Sequence, residues 1–106
     1  PMDNKQTDFY MQIYRLTKQI PLGKVTTYKE LAKALNSKAY RAVGSAMRCN
    51  PNAPIVPCHR VVCSDGKVGN YSAVGRVKKK IEMLRNEGVE IIDGKVDLNK
   101  YLHRFN

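Results

Sequence analysis

The sequence predicts a mainly α domain with one short β-hairpin, arranged as a winged helix-turn-helix. Three observations carry that expectation. Apolar residues recur at helical spacing in several stretches. Two of those stretches are short and separated only by a tight break. Brief β-prone runs in the second half are punctuated by Asp-Gly pairs, the commonest short turn signal. A chain of 106 residues fits one such domain, here taken to span 1–106.

From Asp8 to about Lys18, Phe9, Ile13 and Leu16 share one helical face, and Pro21-Leu22-Gly23 ends the segment. Thr27-Tyr28-Lys29-Glu30 has the T-x-x-E form of a capping box and starts a short helix with Leu31 and Leu35 inward. Asn36-Ser37 makes the break. A second helix then runs from about Lys38 to Arg48, with Ala39, Ala42, Val43, Ala46 and Met47 as its apolar stripe. Arg41, Ser45 and Arg48 fall on its other face, with Gly44 beside them. Small residues between two cations let a nucleic-acid backbone come close, although a lone helix with this face is more often simply solvated. Asn50 to Pro54 is a proline-limited loop. The apolar run Ile55 to Cys63 contains Pro57, which restricts it to an edge or an extended loop. Ser64-Asp65-Gly66-Lys67 reads as the turn of the wing, and Gly69 to Ser72 as another loop. A helix is expected from about Val77 to Asn86, with Val77, Ile81 and Leu84 inward and Gly88 as its stop. Val89 to Val96 turns around Asp93-Gly94. Leu98, Tyr101, Leu102 and Phe105 suggest a closing amphipathic helix.

Charge is lopsided: 19 Lys plus Arg against 9 Asp plus Glu, a formal +10. Such a field attracts phosphates and gains from releasing their counterions, although Lys-rich surfaces also serve solubility alone. Hydrophobic content of 42% is ordinary for a globular domain, and no apolar run is long enough to suggest a membrane span. Three cysteines, an odd number without a secretory leader, point to free thiols in a reducing compartment, hence the cytoplasm, or the nucleus of a eukaryote. Cys49, Cys58 and Cys63 lack paired C-x-x-C spacing, so no metal site and no cofactor are expected.

Pro57-Cys58-His59-Arg60-Val61 places a thiol beside an imidazole on a stiffened segment. On an extended chain the two side chains point to opposite sides, so a turn or a water has to connect them. Alone, a cysteine in an apolar run is usually inert core.

The wider pattern is distinctive. Arg41-Ala42-Val43-Gly44-Ser45-Ala46-Met47-Arg48, then Asn50-Pro51, Pro57-Cys58-His59-Arg60-Val61-Val62 and Gly69-Asn70-Tyr71-Ser72 resemble the O6-alkylguanine-DNA alkyltransferase family over about residues 8 to 92. The resemblance implies a suicide protein, monomeric, that transfers an alkyl group from O6 of an extruded guanine in double-stranded DNA to its own Cys58. It implies a helix-turn-helix in the minor groove, with Ser45 and Arg48 on the DNA face and Arg41 as the finger that fills the emptied stack. Tyr28 matches the tyrosine that turns the nucleotide's phosphate and donates to guanine N3. Asn50 matches an asparagine bracing the active-site turn. His59 matches the imidazole that takes the thiol proton through a water, and Glu87 the glutamate orienting it. The backbones of Cys58 and Val61 are implied to read the guanine amino group, while Tyr71 and Ser72 close the pocket with the Ser72 N–H near O6.

Two departures from the family pattern stand out. Its usual members carry an additional N-terminal domain, expected to be absent here, and Ala73-Val74-Gly75 replaces a Gly-Gly pair after Tyr-Ser. Two rival functions remain at this level. Alkyltransferase-like proteins are short and bind lesions without transfer, but they replace the acceptor cysteine. A winged-helix transcription regulator would use Cys58 as core and ignore damaged guanine.

Overall fold

Helix α1 spans Asn4–Lys18, strand β1 Thr26–Thr27, α2 Tyr28–Ala34 and α3 Tyr40–Arg48. A 3-10 turn, Cys58–Arg60, leads into β2, Val61–Val62. Then follow α4 (Val74–Asn86), β3 (Ile91–Ile92), β4 (Lys95–Val96) and α5 (Leu98–Tyr101). The computed structural model describes residues 4–69 and 74–105.

The helix-turn-helix is built from local signals. Thr27 is extended, and its hydroxyl accepts the Glu30 N–H at 3.0 Å, satisfying one of the free donors at the start of α2. Asn36 takes a left-handed φ of 51°, which asparagine tolerates better than most residues, and this ends the helix. The Ser37 hydroxyl then accepts the Ala39 N–H at 3.0 Å. Ala39 is the N-cap of α3 and is exposed, so the helix starts two residues later than expected and Ala39 leaves the apolar stripe. Val43, Ala46 and Met47 are buried as the stripe requires. The Tyr14 hydroxyl donates to the Ala46 carbonyl at 2.9 Å and ties α1 to α3.

Two hydrophobic cores share the molecule. One gathers Tyr10, Ile13, Ile20, Leu31, Ala32, Val43, Ala46, Met47 and Val61 from the first three helices, the turn after α1, and β2. The other gathers Val25, Val62, Val68, Leu84, Val89, Ile91, Val96 and Tyr101 around the hairpin. Parallel pairing of β1 with β2, Thr26 to Val61 and Thr27 to Val62, forms the partition. Successive side chains of a strand face opposite ways, so Val61 packs into the helical core and Val62 into the hairpin core.

The β3–β4 hairpin turns through Asp93 and Gly94, both at positive φ, as a two-residue turn of right-handed twist requires. The turn at 64–67 also closes, with Gly66 N–H on the Cys63 carbonyl and Cys63 N–H on that of Lys67, each at 2.9 Å. Its returning limb then joins the hairpin: Lys67 bridges Lys95 in antiparallel fashion. Gly66 sits at φ 90°, and a Cβ there would lie 2.5 Å from the Val96 carbonyl oxygen, so this approach requires glycine.

Three expectations need correction. Helices α1 and α4 begin earlier than expected, at Asn4 and Val74. The closing helix is one turn only: Leu102 is extended and bridges Val25, and the His103 N–H donates to the Val25 carbonyl at 2.6 Å. His103 is therefore a partly buried partner of the β1 approach. The apolar run around Pro57 coils at Cys58–Arg60 before it becomes a strand.

Candidate functional site

The turn after Pro57 decides where the thiol goes. Pro57 is its N-cap; the Cys58 N–H bonds the Val56 carbonyl at 2.8 Å and the Arg60 N–H that of Pro57 at 2.9 Å. Cys58 is half-buried and packs against the helical core. The loop before it is braced by Asn50, whose Nδ2 donates to the Val56 carbonyl at 2.8 Å while Oδ1 accepts the Asn52 N–H at 3.0 Å. One amide thus ties both ends of the segment that presents the thiol.

His59 is buried, and its Nε2 meets Glu87 Oε2 at 2.9 Å. Among the described residues its Nδ1 is buried with no hydrogen-bond partner. A carboxylate on Nε2 favours the tautomer with the proton there, leaving the Nδ1 lone pair able to accept one. Glu87 stands just past the end of α4 and is itself clamped by Arg60, Nε to Oε1 at 2.9 Å and a terminal nitrogen to Oε2 at 2.8 Å. The other terminal nitrogen of Arg60 donates to the Ile20 carbonyl at 2.9 Å. Arg60, then His59, hold the Glu87 carboxyl below its ordinary pKa, against the opposing effect of burial. Sequence reasoning missed Arg60 as part of this cluster, although its place in Pro57-Cys58-His59-Arg60-Val61 was a signal.

Tyr28 opens α2 and packs against the same core cluster as Cys58. Burial, with the nearby Cys63 and Cys58, pushes its phenol up to about 12, against a smaller opposing effect of Arg48. The phenol therefore stays a hydrogen-bond donor at neutral pH. On α3, Arg41 and Arg48 are exposed, and Arg48 donates to the Ser45 hydroxyl at 3.0 Å. Val61 is fully buried and its N–H bonds the Cys58 carbonyl, so only its backbone can take part in a site. Tyr71 and Ser72 lie outside the described residues. Cys49 is exposed at the end of α3.

Lys78 and Lys79 are exposed, but Lys80 turns inward and its Nζ lies 5.9 Å from the centre of the Tyr28 ring. Burial lowers its pKa to about 8, while the neighbouring Cys58 and Cys63 act in the opposite direction. Nothing in the KKK run separates its third member from the others; only the helical phase shared with Val77 and Ile81 and Leu84 bears on it.

Two concavities lie elsewhere, one lined by Glu90, Ile92, Lys95, Val96, Asp97, Lys100 and Tyr101, the other by Glu30, Lys33, Ala34, Arg104 and Phe105. Neither includes the thiol. Among the described residues no group of three or more His, Cys, Asp or Glu could hold a metal ion, and no helix is long and apolar enough to cross a membrane.

Fold and site together define a mostly helical domain of the helix-turn-helix class that presents a half-buried thiol beside an imidazole–carboxylate–guanidinium cluster. Residues 8–89 match the family model described as 6-O-methylguanine DNA methyltransferase, DNA binding domain, and the chain belongs to that family. It is 46% identical over 100 residues to a bifunctional methyltransferase/endonuclease of Picrophilus torridus, covering 93% of this chain and 32% of that protein. It is 49% identical over 86 residues to the methylated-DNA–protein-cysteine methyltransferase of Homo sapiens, 79% of this chain and 41% of that one. The chain thus spans well under half the length of these curated relatives. Among solved structures, Schizosaccharomyces (S. pombe) Atl1 in complex with damaged DNA containing O6-carboxymethylguanine superposes with a TM-score of 0.84 at 32% identity, covering 92% of this chain and 96% of that one. Mycobacterium tuberculosis OGT in complex with DNA gives a TM-score of 0.66 at 38% identity, over 76% and 49%.

Proposed function

We propose that this domain repairs DNA by direct reversal, taking an alkyl group from O6 of an extruded guanine irreversibly onto Cys58. The observation that carries this reading is the half-buried Cys58 held by the Asn50-braced turn, next to a His59 whose Nε2 is fixed by Glu87. In the step itself, the Cys58 sulfur forms a bond to the alkyl carbon as the carbon–O6 bond breaks. The thiol proton passes through a water to His59 Nδ1 and on to solvent, while guanine O6 keeps the electron pair of the broken bond and the base, still in the DNA, takes a proton from solvent on its ring nitrogen. The thioether has no easy hydrolysis route, so each molecule acts once.

Magnitudes say what else is needed. An ordinary thiol is only a few per cent ionised at neutral pH, so complete ionisation gains roughly thirtyfold, or about 2 kcal/mol. The remainder comes from aligning sulfur, carbon and oxygen and from stabilising charge on the departing base. The Tyr28 phenol and the Ser72 N–H serve that second task, with Tyr71 completing the pocket and the Cys58 and Val61 backbones reading the amino group. Arg41 fills the gap in the stack, and Ser45 and Arg48 line the DNA face of α3. Extrusion takes a few kcal/mol, less for a poorly paired lesion, and phosphate contacts offset it. Double-stranded DNA containing O6-alkylguanine is the partner, with no cofactor or metal.

A second reading has its own observation: the likeness to Atl1 extends over nearly the whole of both chains. It makes the domain a lesion-binding protein that flags damage. Proteins of that kind lack the acceptor cysteine, and this chain has it. Incubation with an oligonucleotide containing O6-methylguanine, followed by intact-mass and peptide mass spectrometry, decides between them. Transfer adds one methyl group at Cys58; an unchanged mass with retained lesion binding overturns transfer in favour of flagging.

A further inference from the structure

Residues 31–64 carry Lys33, Lys38, Arg41, Arg48 and Arg60 but no Asp or Glu, so α3 and the loop after it are cleared of negative charge. Such a surface suits a polyanion. Two large apolar side chains stand exposed within this stretch, Tyr40 and Ile55, and only Tyr40 offers a flat aromatic face. Tyr40 is the first residue of α3, is 46% exposed and directly precedes Arg41. Among the described residues its ring meets no other ring and no cation. Lone exposed aromatics are common on protein surfaces, but this one is held firmly at its base. The Ser37 hydroxyl accepts the Ala39 N–H at 3.0 Å and the Lys38 carbonyl accepts the Tyr40 N–H at 2.9 Å, which fixes the entry into the helix. One turn on, Gly44 lies in the same row as Tyr40 and Arg48. A Cβ there would meet only the Arg48 guanidinium within 4 Å, at 3.8 Å, so the fold does not require a glycine that weakens the helix interior. Bare backbone between an aromatic ring and a guanidinium leaves room for a partner to come close.

We infer that Tyr40 is a specificity-determining contact with DNA: its ring stacks on a base uncovered when the duplex is opened, and so favours a disrupted duplex over an intact one. The inference rests on the reading of α3 as the DNA-facing helix. Consecutive helical residues point about 100° apart, so Tyr40 does not share the gap assigned to Arg41 and faces a neighbouring base instead. In an intact duplex each base face is covered by the next, and the ring finds only groove edges. Once a nucleotide leaves the stack a flat face becomes available, and stacking of a base on an aromatic side chain tolerates any base. A tyrosine has few side-chain torsions to immobilise, and the fixed helix entry removes backbone freedom in advance. A stacked ring neutralises no phosphate. The contact therefore adds discrimination without adding to the salt-dependent attraction of the cations around it.

The test uses the whole chain and two duplexes, one undamaged and one carrying a tetrahydrofuran abasic site, which opens the stack and has no alkyl group to give. Binding is read by fluorescence anisotropy over a series of salt concentrations. In Tyr40→Ala, affinity for the abasic duplex is expected to fall about tenfold. Affinity for the undamaged duplex and the salt dependence are expected to stay those of the parent. Tyr40→Phe keeps the ring and is expected to keep both affinities, whereas Tyr40→Leu, apolar but not flat, follows alanine and serves where the alanine variant does not fold. Equal losses on the two duplexes, no loss on either, or a changed salt dependence overturns the inference. So does a leucine variant equal to the parent, or a phenylalanine variant that behaves like alanine. Alkyl transfer in the mass assay without a Tyr40 effect overturns only the role of Tyr40, and a Tyr40 effect without alkyl transfer overturns only the transfer. A parent chain that binds neither duplex overturns the placing of α3 on DNA as well.

Discussion

Cys58 and Glu87 ask different things of their surroundings. In the proposed transfer Cys58 needs access and a path for its proton, whereas Glu87 needs to stay ionised. Replacing Cys58 with alanine is expected to abolish the proposed transfer while leaving lesion binding within a few-fold, because binding is proposed to draw on Arg41, Tyr28 and phosphate contacts; gel-shift and mass assays on the same preparation read both. Glu87→Gln removes the acceptor of three hydrogen bonds, one from His59 and two from Arg60. Leaving a partly buried guanidinium and a buried imidazole without their anion costs about 1–3 kcal/mol at pH 7. Its folded-state pKa is lowered, so Glu87 stabilises the fold above the ordinary carboxylate range, and that stability is lost as pH falls through the lowered value. Denaturant melts from neutral to acid pH therefore show a steeper acid-side decline in the parent than in Glu87→Gln. Equal slopes would mean that the cluster adds nothing to folding.

At the scale of elements, α3 presents its charges without occupying them in ion pairs with acidic side chains among the described residues. The internal Arg48–Ser45 hydrogen bond is exposed and easily exchanged for a phosphate. Arg48→Ala is expected to weaken duplex binding similarly with and without a lesion and to reduce the salt dependence by about one phosphate contact. Arg41→Ala should weaken lesion processing more than undamaged-duplex binding, since its proposed place is inside the stack. Fluorescence titrations at several salt concentrations separate the two behaviours; identical losses on damaged and undamaged duplex would remove the finger role. The elements themselves were legible where a signal was local: the Thr27 cap, the Asn36 break, the stripe of Val43, Ala46 and Met47, and the Asp93-Gly94 turn. Less legible was anything set by long-range pairing. Leu102 looked helical by spacing, but Val25 takes its backbone instead. The residues of the site were read from a family resemblance; its Arg60 clamp and inward Lys80 were not, because a charged side chain's direction depends on neighbours distant in sequence.

The whole molecule is two cores meeting at a pair of two-residue strands. Leu31→Ala empties the helical core and Leu84→Ala the hairpin core, both positions fully buried, and each is expected to cost about 2–5 kcal/mol. Because adjacent valines, Val61 and Val62, belong to opposite cores, neither can melt without loosening the other. Both variants should thus retain one cooperative transition, seen alike by tyrosine fluorescence and circular dichroism. Separate transitions in either variant would show that the partition insulates the two halves.

The pairing of Thr26 with Val61 and Thr27 with Val62 also works as a gauge. Tyr28 is the next residue on one side, and Cys58 stands three residues earlier on the other, so the ladder sets how far apart phenol and sulfur ride along the strands. A slip of one residue would carry them about 3.3 Å past one another, more than a hydrogen bond can stretch. Inserting a single residue between Lys24 and Thr26 leaves every named side chain in the protein yet mistimes the two. Because a one-residue slip also turns each strand side chain to the other face, the ladder that spaces phenol and sulfur is the same one that keeps the two cores apart.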